Sequence, residues 1–108
     1  MRRGDIVLVA PPGDYGKPRP AVVIQSDRMR ATDSLLLVLM TSALEDAPIY
    51  RLQIEPAPGN SLQRASQIMI EKVLAMPKQK IGQVIGRLSP DELVALNSML
   101  SAVLGIAD

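Results

Sequence analysis

The hydrophobic positions of this chain fall into short runs, separated by polar segments bearing proline and glycine. The first run, Asp5 to Ala10, reads as a strand. Pro20 to Ser26 reads as a second strand, so nearly continuous in apolar residues that burial on both faces is expected. Asp27 to Asp33 is polar and charged, a loop or a short helical turn. Leu35 to Met40 is unbroken and apolar; it fits a central strand, although so short a run leaves a helical segment open. Tyr50, Leu52 and Ile54 alternate with Arg51, Gln53 and Glu55, the period-two pattern of a half-exposed strand with the second set outward. Pro56 to Asn60 is a turn. Ser66 to Val73 is a further strand, and Ile81 to Arg87, punctuated by Gly82 and Gly86, a short last one.

The end of the chain changes period. Ser89-Pro90-Asp91-Glu92 has the form of a capping box with proline at the first helical position and acids in the first turn. Leu93, Leu96, Leu100, Val103 and Leu104 then recur at helical spacing and predict one apolar face, and Gly105 closes the helix. Five or six short strands and one late helix, without βαβ spacing, predict a mainly β fold: a small, mostly antiparallel barrel or half-barrel with a C-terminal α-helix. A chain of 108 residues without repeats is expected to form a single domain spanning 1–108.

Composition narrows the chemistry. Aromatic residues are 2% of the chain, so the core must be built from Val, Ile, Leu and Met, and a base-stacking platform is disfavoured. Cysteine and histidine are absent, which excludes disulfides, thiol chemistry, a histidine triad and the usual zinc sites; no metal and no cofactor is expected. Neither a GxGxxG nor a GxxxxGK[ST] phosphate loop occurs. No apolar stretch is long enough to span a membrane. The N-terminal arginines run into a strand pattern too soon to be a signal peptide, so a cytoplasmic protein is expected.

The formal net charge of +1 says little, but the distribution says more. From Pro56 to Pro90 the one acid is Glu71, against Arg64, Lys72, Lys78, Lys80 and Arg87. Arg2, Arg3, Lys17, Arg19, Arg28 and Arg30 make the first third basic as well. Arg19 stands between Pro18 and Pro20 at the mouth of the second strand, after a Pro- and Gly-rich loop. The following proline biases it to extended backbone. A guanidinium held there suits phosphate, which its planar fork can bind through two charge-assisted hydrogen bonds.

Five strings, in order, then carry a resemblance: Arg3-Gly4-Asp5-Ile6-Val7; Arg19-Pro20-Ala21-Val22-Val23-Ile24-Gln25-Ser26-Asp27; Leu39-Met40-Thr41-Ser42; Ser66-Gln67-Ile68-Met69-Ile70-Glu71-Lys72-Val73; and Ile85-Gly86-Arg87-Leu88-Ser89. Over nearly its whole length the chain resembles the MazF/PemK toxins of bacterial toxin–antitoxin modules. The resemblance implies an SH3-like barrel of the MazF/PemK/CcdB type, assembled as a homodimer. It implies a metal-independent endoribonuclease that cuts single-stranded RNA at short sequences, and a cognate antitoxin whose disordered tail covers the RNA groove. It places the catalytic arginine at Arg19 and the catalytic hydroxyl at Thr41, with Ser42 beside it.

Residue chemistry is compatible with these roles. Cleavage without a metal requires a 2′-hydroxyl to attack the adjacent phosphate, a base to take its proton and donors to stabilise the phosphorane. Arg19 can do the last, and the Thr41 hydroxyl can donate to a non-bridging oxygen. The base is open: Asp14 in the first loop, Glu45, Asp46 and Glu71 are the carboxylates to consider, Glu71 fitting a structural pairing within its strand better. Lys17, Arg28, Arg64 and Lys72 are candidate phosphate contacts, and Ser42, Ser66 and Gln67 candidate base readers. Two other functions fit the same fold. One is a CcdB-like gyrase inhibitor, which Gly105-Ile106 near the end resembles, although Asp108 follows and tryptophan is lacking. The other is an inactive member that only binds antitoxin and, with it, promoter DNA.

Overall fold

The computed structural model describes residues 1–10 and 17–107. Among the described residues there are six strands, β1 (Asp5–Val9), β2 (Arg19–Val23), β3 (Ser34–Thr41), β4 (Arg51–Ile54), β5 (Ser66–Pro77) and β6 (Ile81–Arg87), followed by helix α1 (Pro90–Val103). They form one sheet in the order β4-β5-β3-β2-β1-β6, and every pairing is antiparallel. The run Leu35–Met40 is therefore a strand, lying between β2 and β5.

The sheet bends at β5. Its register against β3 passes from Met40↔Ile68 to Val38↔Val73, so five steps along β5 answer two along β3. Such an irregularity coils a strand and increases its twist. One half of β5 can thus face β4 and the other run on to Pro77, past Val73, where the sequence reading ends the strand. Pro77 then leads through a 3₁₀ turn, Lys78–Lys80, into β6. The two outer strands are drawn together by the connection after β4. Arg87 N–H donates to Gly59 C=O at 2.9 Å, and Ser61 Oγ donates to Ile85 C=O. Gly86 permits this approach, because a Cβ there would lie 2.6 Å from both Asn60 Cα and Gly59 O.

The three central strands bury both faces. Ile6, Val22, Val38, Met40, Ile54, Ile68 and Ile70 pack with Leu88, Leu96 and Leu100 on the helix side. Val7, Val9, Ala21, Val23, Leu35, Leu37 and Met76 form a second cluster on the other. Aliphatic side chains suffice because alternate positions of β1 and β2 feed opposite clusters, removing nearly all of their apolar surface from water.

Both ends of α1 follow local rules. Glu92 N–H donates to Ser89 Oγ at 3.1 Å and Ser89 N–H to Glu92 Oε1 at 2.8 Å, closing the capping box. At the other end Gly105 takes φ +73, while Ile106 N–H donates to Ser101 C=O at 2.8 Å and Gly105 N–H to Ala102 C=O at 3.1 Å, a Schellman motif. The Gly105-Ile106 pair is thus accounted for by helix termination. The apolar face is shorter than its periodicity predicts: Leu96 and Leu100 are buried, whereas Leu104 is 58% exposed and Val103 borders solvent. No described helix is long and apolar enough to cross a membrane.

Candidate active-site cleft

A cleft of about 650 Å³ opens at one end of the barrel. The end of β1, the start of β2, the end of β3, the 61–64 segment and the start of β5 all contribute, together with Ile85 of β6. The antiparallel order explains the convergence, since β2 begins and β3 ends at the same level. Their register runs Ala21↔Leu39, Val22↔Val38, Val23↔Leu37; continued toward the start of β2, it sets Arg19 level with Thr41. Thr41 pairs in turn with Gln67, and Gln67 with Gln53. Directly opposed residues share a face, so one row crosses four strands: Arg19, Thr41, Gln67, Gln53.

Six of the sequence candidates line the cleft: Lys17, Arg19, Thr41, Ser42, Arg64 and Ser66. Three cations, Lys17, Arg19 and Arg64, are gathered in its wall. Arg19 is exposed at its strand end. Thr41 Oγ1 accepts Ala43 N–H at 3.0 Å, which leaves its own O–H to donate. Ser66 is buried and its hydroxyl donates to Arg64 C=O at 3.1 Å, supporting the cleft wall rather than offering a free reader.

The other candidates lie elsewhere. Arg28 is exposed in the β2–β3 connection, which belongs to the opposite end of β2 and does not reach the cleft. Lys72 is exposed within the bent part of β5, likewise away from it. Gln67 shares the row of Thr41, but its amide is spent internally: Oε1 accepts Glu45 N–H and Nε2 donates to Glu45 C=O. The claim on this buried amide is the backbone it satisfies. Asp14 lies outside the described residues. Glu45 and Glu71 both turn toward Arg51, at 3.6 and 3.8 Å, instead of toward the cleft. Among the described residues no group of three or more Asp or Glu is placed to hold a metal ion.

Three features escape a linear reading. Ser61 and Gln63 line the cleft. Ser61 has φ +58, a left-handed backbone that a non-glycine residue seldom adopts and that recurs near functional sites. The buried Asn60 holds this wall, its Oδ1 accepting from Ala57 N–H and Leu62 N–H, each at 3.1 Å, and its Nδ2 donating to Glu55 C=O at 2.9 Å. The third feature is Arg51, expected outward from the alternation of β4; its side chain is only 6% exposed, covered by segments distant in sequence.

Comparison with known proteins places this cleft in context. Residues 2–104 match the family described as PemK-like, MazF-like toxin of type II toxin-antitoxin system. A protein named probable endoribonuclease MazF, from Mycolicibacterium smegmatis, is 44% identical over 108 residues, covering 99% of each chain. Among solved structures, an endoribonuclease in complex with its cognate antitoxin, from a mycobacterial species, superposes with a TM-score of 0.80 at 18% identity, covering 100% of this chain and 98% of that one. A MazE–MazF structure from Deinococcus radiodurans gives 0.79 at 16% identity, covering 99% and 97%. At such identities the structural matches speak for the fold.

Proposed function

This chain belongs to the PemK-like, MazF-like toxin family of type II toxin–antitoxin systems, and we propose that it is the endoribonuclease of such a module, cutting single-stranded RNA without a metal ion. The observation that carries this reading is the convergence of cations and hydroxyl in one cleft: Arg19 and Thr41 at one level, with Lys17 and Arg64 in the same wall. A polyanion is the ligand such a surface suits.

In the reaction, the 2′-oxygen of one nucleotide attacks its own 3′-phosphorus. The new P–O2′ bond forms as the P–O5′ bond breaks, leaving a 2′,3′-cyclic phosphate and a 5′-hydroxyl. Arg19 donates to the non-bridging oxygens, where charge accumulates, and Thr41 O–H donates to the same group. Each such donor is commonly worth about 3 kcal/mol of barrier, or 10²–10³-fold in rate. A guanidinium holds its proton too tightly to serve as the acid for the leaving oxygen, so O5′ takes its proton from solvent water. Asp14, in the first loop, is our candidate for the base. Lys17 and Arg64 hold the flanking phosphates and fix register, and Ser42 reads an unstacked base.

We further propose that the active species is a cytoplasmic homodimer, and that a cognate antitoxin silences it by occupying the cleft. One structural relative is described in complex with its cognate antitoxin. The test of the chemistry is the product. Antitoxin-free protein, incubated with a long single-stranded RNA in EDTA, is expected to give discrete cuts ending in 2′,3′-cyclic phosphate and 5′-hydroxyl. Cuts that require added Mg²⁺, or that leave a 5′-phosphate, would overturn the mechanism.

A further inference from the structure

The turn that brings Thr41 into the cleft is held from behind by one residue. Gln67 is 5% exposed and stands directly opposite Thr41 in the β3–β5 ladder. Its side chain reaches to Glu45, accepting Glu45 N–H at Oε1 (3.0 Å) and donating from Nε2 to Glu45 C=O (2.9 Å). One amide so satisfies both backbone groups of a loop residue, as a neighbouring strand would. The segment from Thr41 to Glu45 is closed onto the same residue at both ends, through the ladder at one and through the side chain at the other. Within that ring, Ala43 N–H donates to Thr41 Oγ1 at 3.0 Å, which constrains the direction left for the hydroxyl proton.

Arg51 fixes Gln67 in turn. Its Nη1 donates to Gln67 Oε1 at 3.3 Å, so the amide oxygen faces the cation and the NH₂ faces Glu45 C=O and, at 3.4 Å, Gln53 Oε1. The Arg51 side chain is 6% exposed between Glu45 and Glu71, and its Nε has no hydrogen-bond partner among the described residues. Burying a cation with an unsatisfied donor is unfavourable. Orienting Gln67 is a role its contacts supply.

We propose that Gln67, backed by Arg51, is a positioning residue for Thr41: it sets the 41–45 turn, and through it the aim of the Thr41 hydroxyl, without touching RNA. The proposal rests on the reading of the cleft as a ribonuclease site.

The test is a double-mutant cycle on an RNA carrying one mapped cut site, comparing wild type, Thr41→Ala, Gln67→Met and the double variant, with circular dichroism confirming the fold. Misplacing a catalytic group by about 1 Å can cost 10²-fold in rate. Gln67→Met is therefore expected to lower kcat by roughly 10- to 100-fold with KM nearly unchanged. The double variant is expected to be no slower than Thr41→Ala alone, because a residue acting through Thr41 has nothing left to position. If Gln67→Met does not fold, Gln67→Asn, too short to span both Glu45 groups, is expected to show the same split. A raised KM, a changed cut sequence, losses that multiply in the double variant, or an undiminished kcat in folded Gln67→Met would each overturn the positioning role. A wild-type protein that cuts no RNA would instead overturn the ribonuclease reading, and this role with it.

Discussion

Gly86 and Asn60 meet backbone to backbone: a Cβ on Gly86 would lie 2.6 Å from Asn60 Cα, and the adjoining Arg87 N–H donates to Gly59 C=O. This contact joins the two ends of the curled sheet and stands behind the cleft wall formed by Ser61 to Arg64. Gly86→Ala must push backbone aside, and overpacking of this kind usually costs about 1–3 kcal/mol. A thermal melt is expected to fall by several degrees or more, and RNA cleavage by the folded protein to fall with it as the wall shifts.

The helix contributes through its core face and its caps. Leu96 is fully buried among residues of β1, β2, β3, β4 and β5. Leu96→Ala should cost about 2–5 kcal/mol, the range for buried large-to-small changes. Ser89→Ala removes one half of the capping box and should cost about 0.5–2 kcal/mol. Urea denaturation with an unchanged m-value would measure both.

Charge in the cleft should appear as salt dependence. Neutralising phosphates of a single strand gives a slope of log K against log salt of about −0.7 per contact. With Lys17, Arg19 and Arg64 in the wall, binding of an uncleavable 2′-deoxy-substituted strand is expected to show a slope near −2 per cleft, roughly three contacts. Arg64→Ala should reduce its magnitude by about 0.7. Arg28→Ala and Lys72→Ala, whose side chains lie away from the cleft, should leave it unchanged.

Signals confined to neighbouring residues were legible in the sequence. The capping box at Ser89, the Schellman glycine at Gly105 and the limits of β1 and β6 follow from short-range rules, and the structure agrees within a residue. The Arg19-Pro20 and Thr41-Ser42 strings also pointed to one place, because antiparallel pairing of β2 and β3 brings the start of one beside the end of the other.

What escaped depends on partners far along the chain. The second half of β5, Leu74–Pro77, exists because β3 pairs with it past a register shift that no local pattern announces. Arg51 sits on the outward phase of β4, but Glu45, Glu71 and Gln67 arrive from elsewhere to cover it. Gln67 reads as polar and available in sequence, yet is consumed by the Glu45 backbone. Arg28 and Lys72 show the same blindness for charge: sign is visible in sequence, the end of the barrel it occupies is not.

The claim that Arg19 stabilises the phosphorane is tested most directly by the single-turnover cleavage rate of Arg19→Ala against wild type, at saturating enzyme in EDTA. The expected result is a rate lower by at least about 10²-fold, the loss typical of one oxyanion donor, with the fold intact and Arg19→Lys recovering only part of it because a point charge lacks the planar fork. Cleavage by Arg19→Ala at the wild-type rate and at the same sites would contradict it.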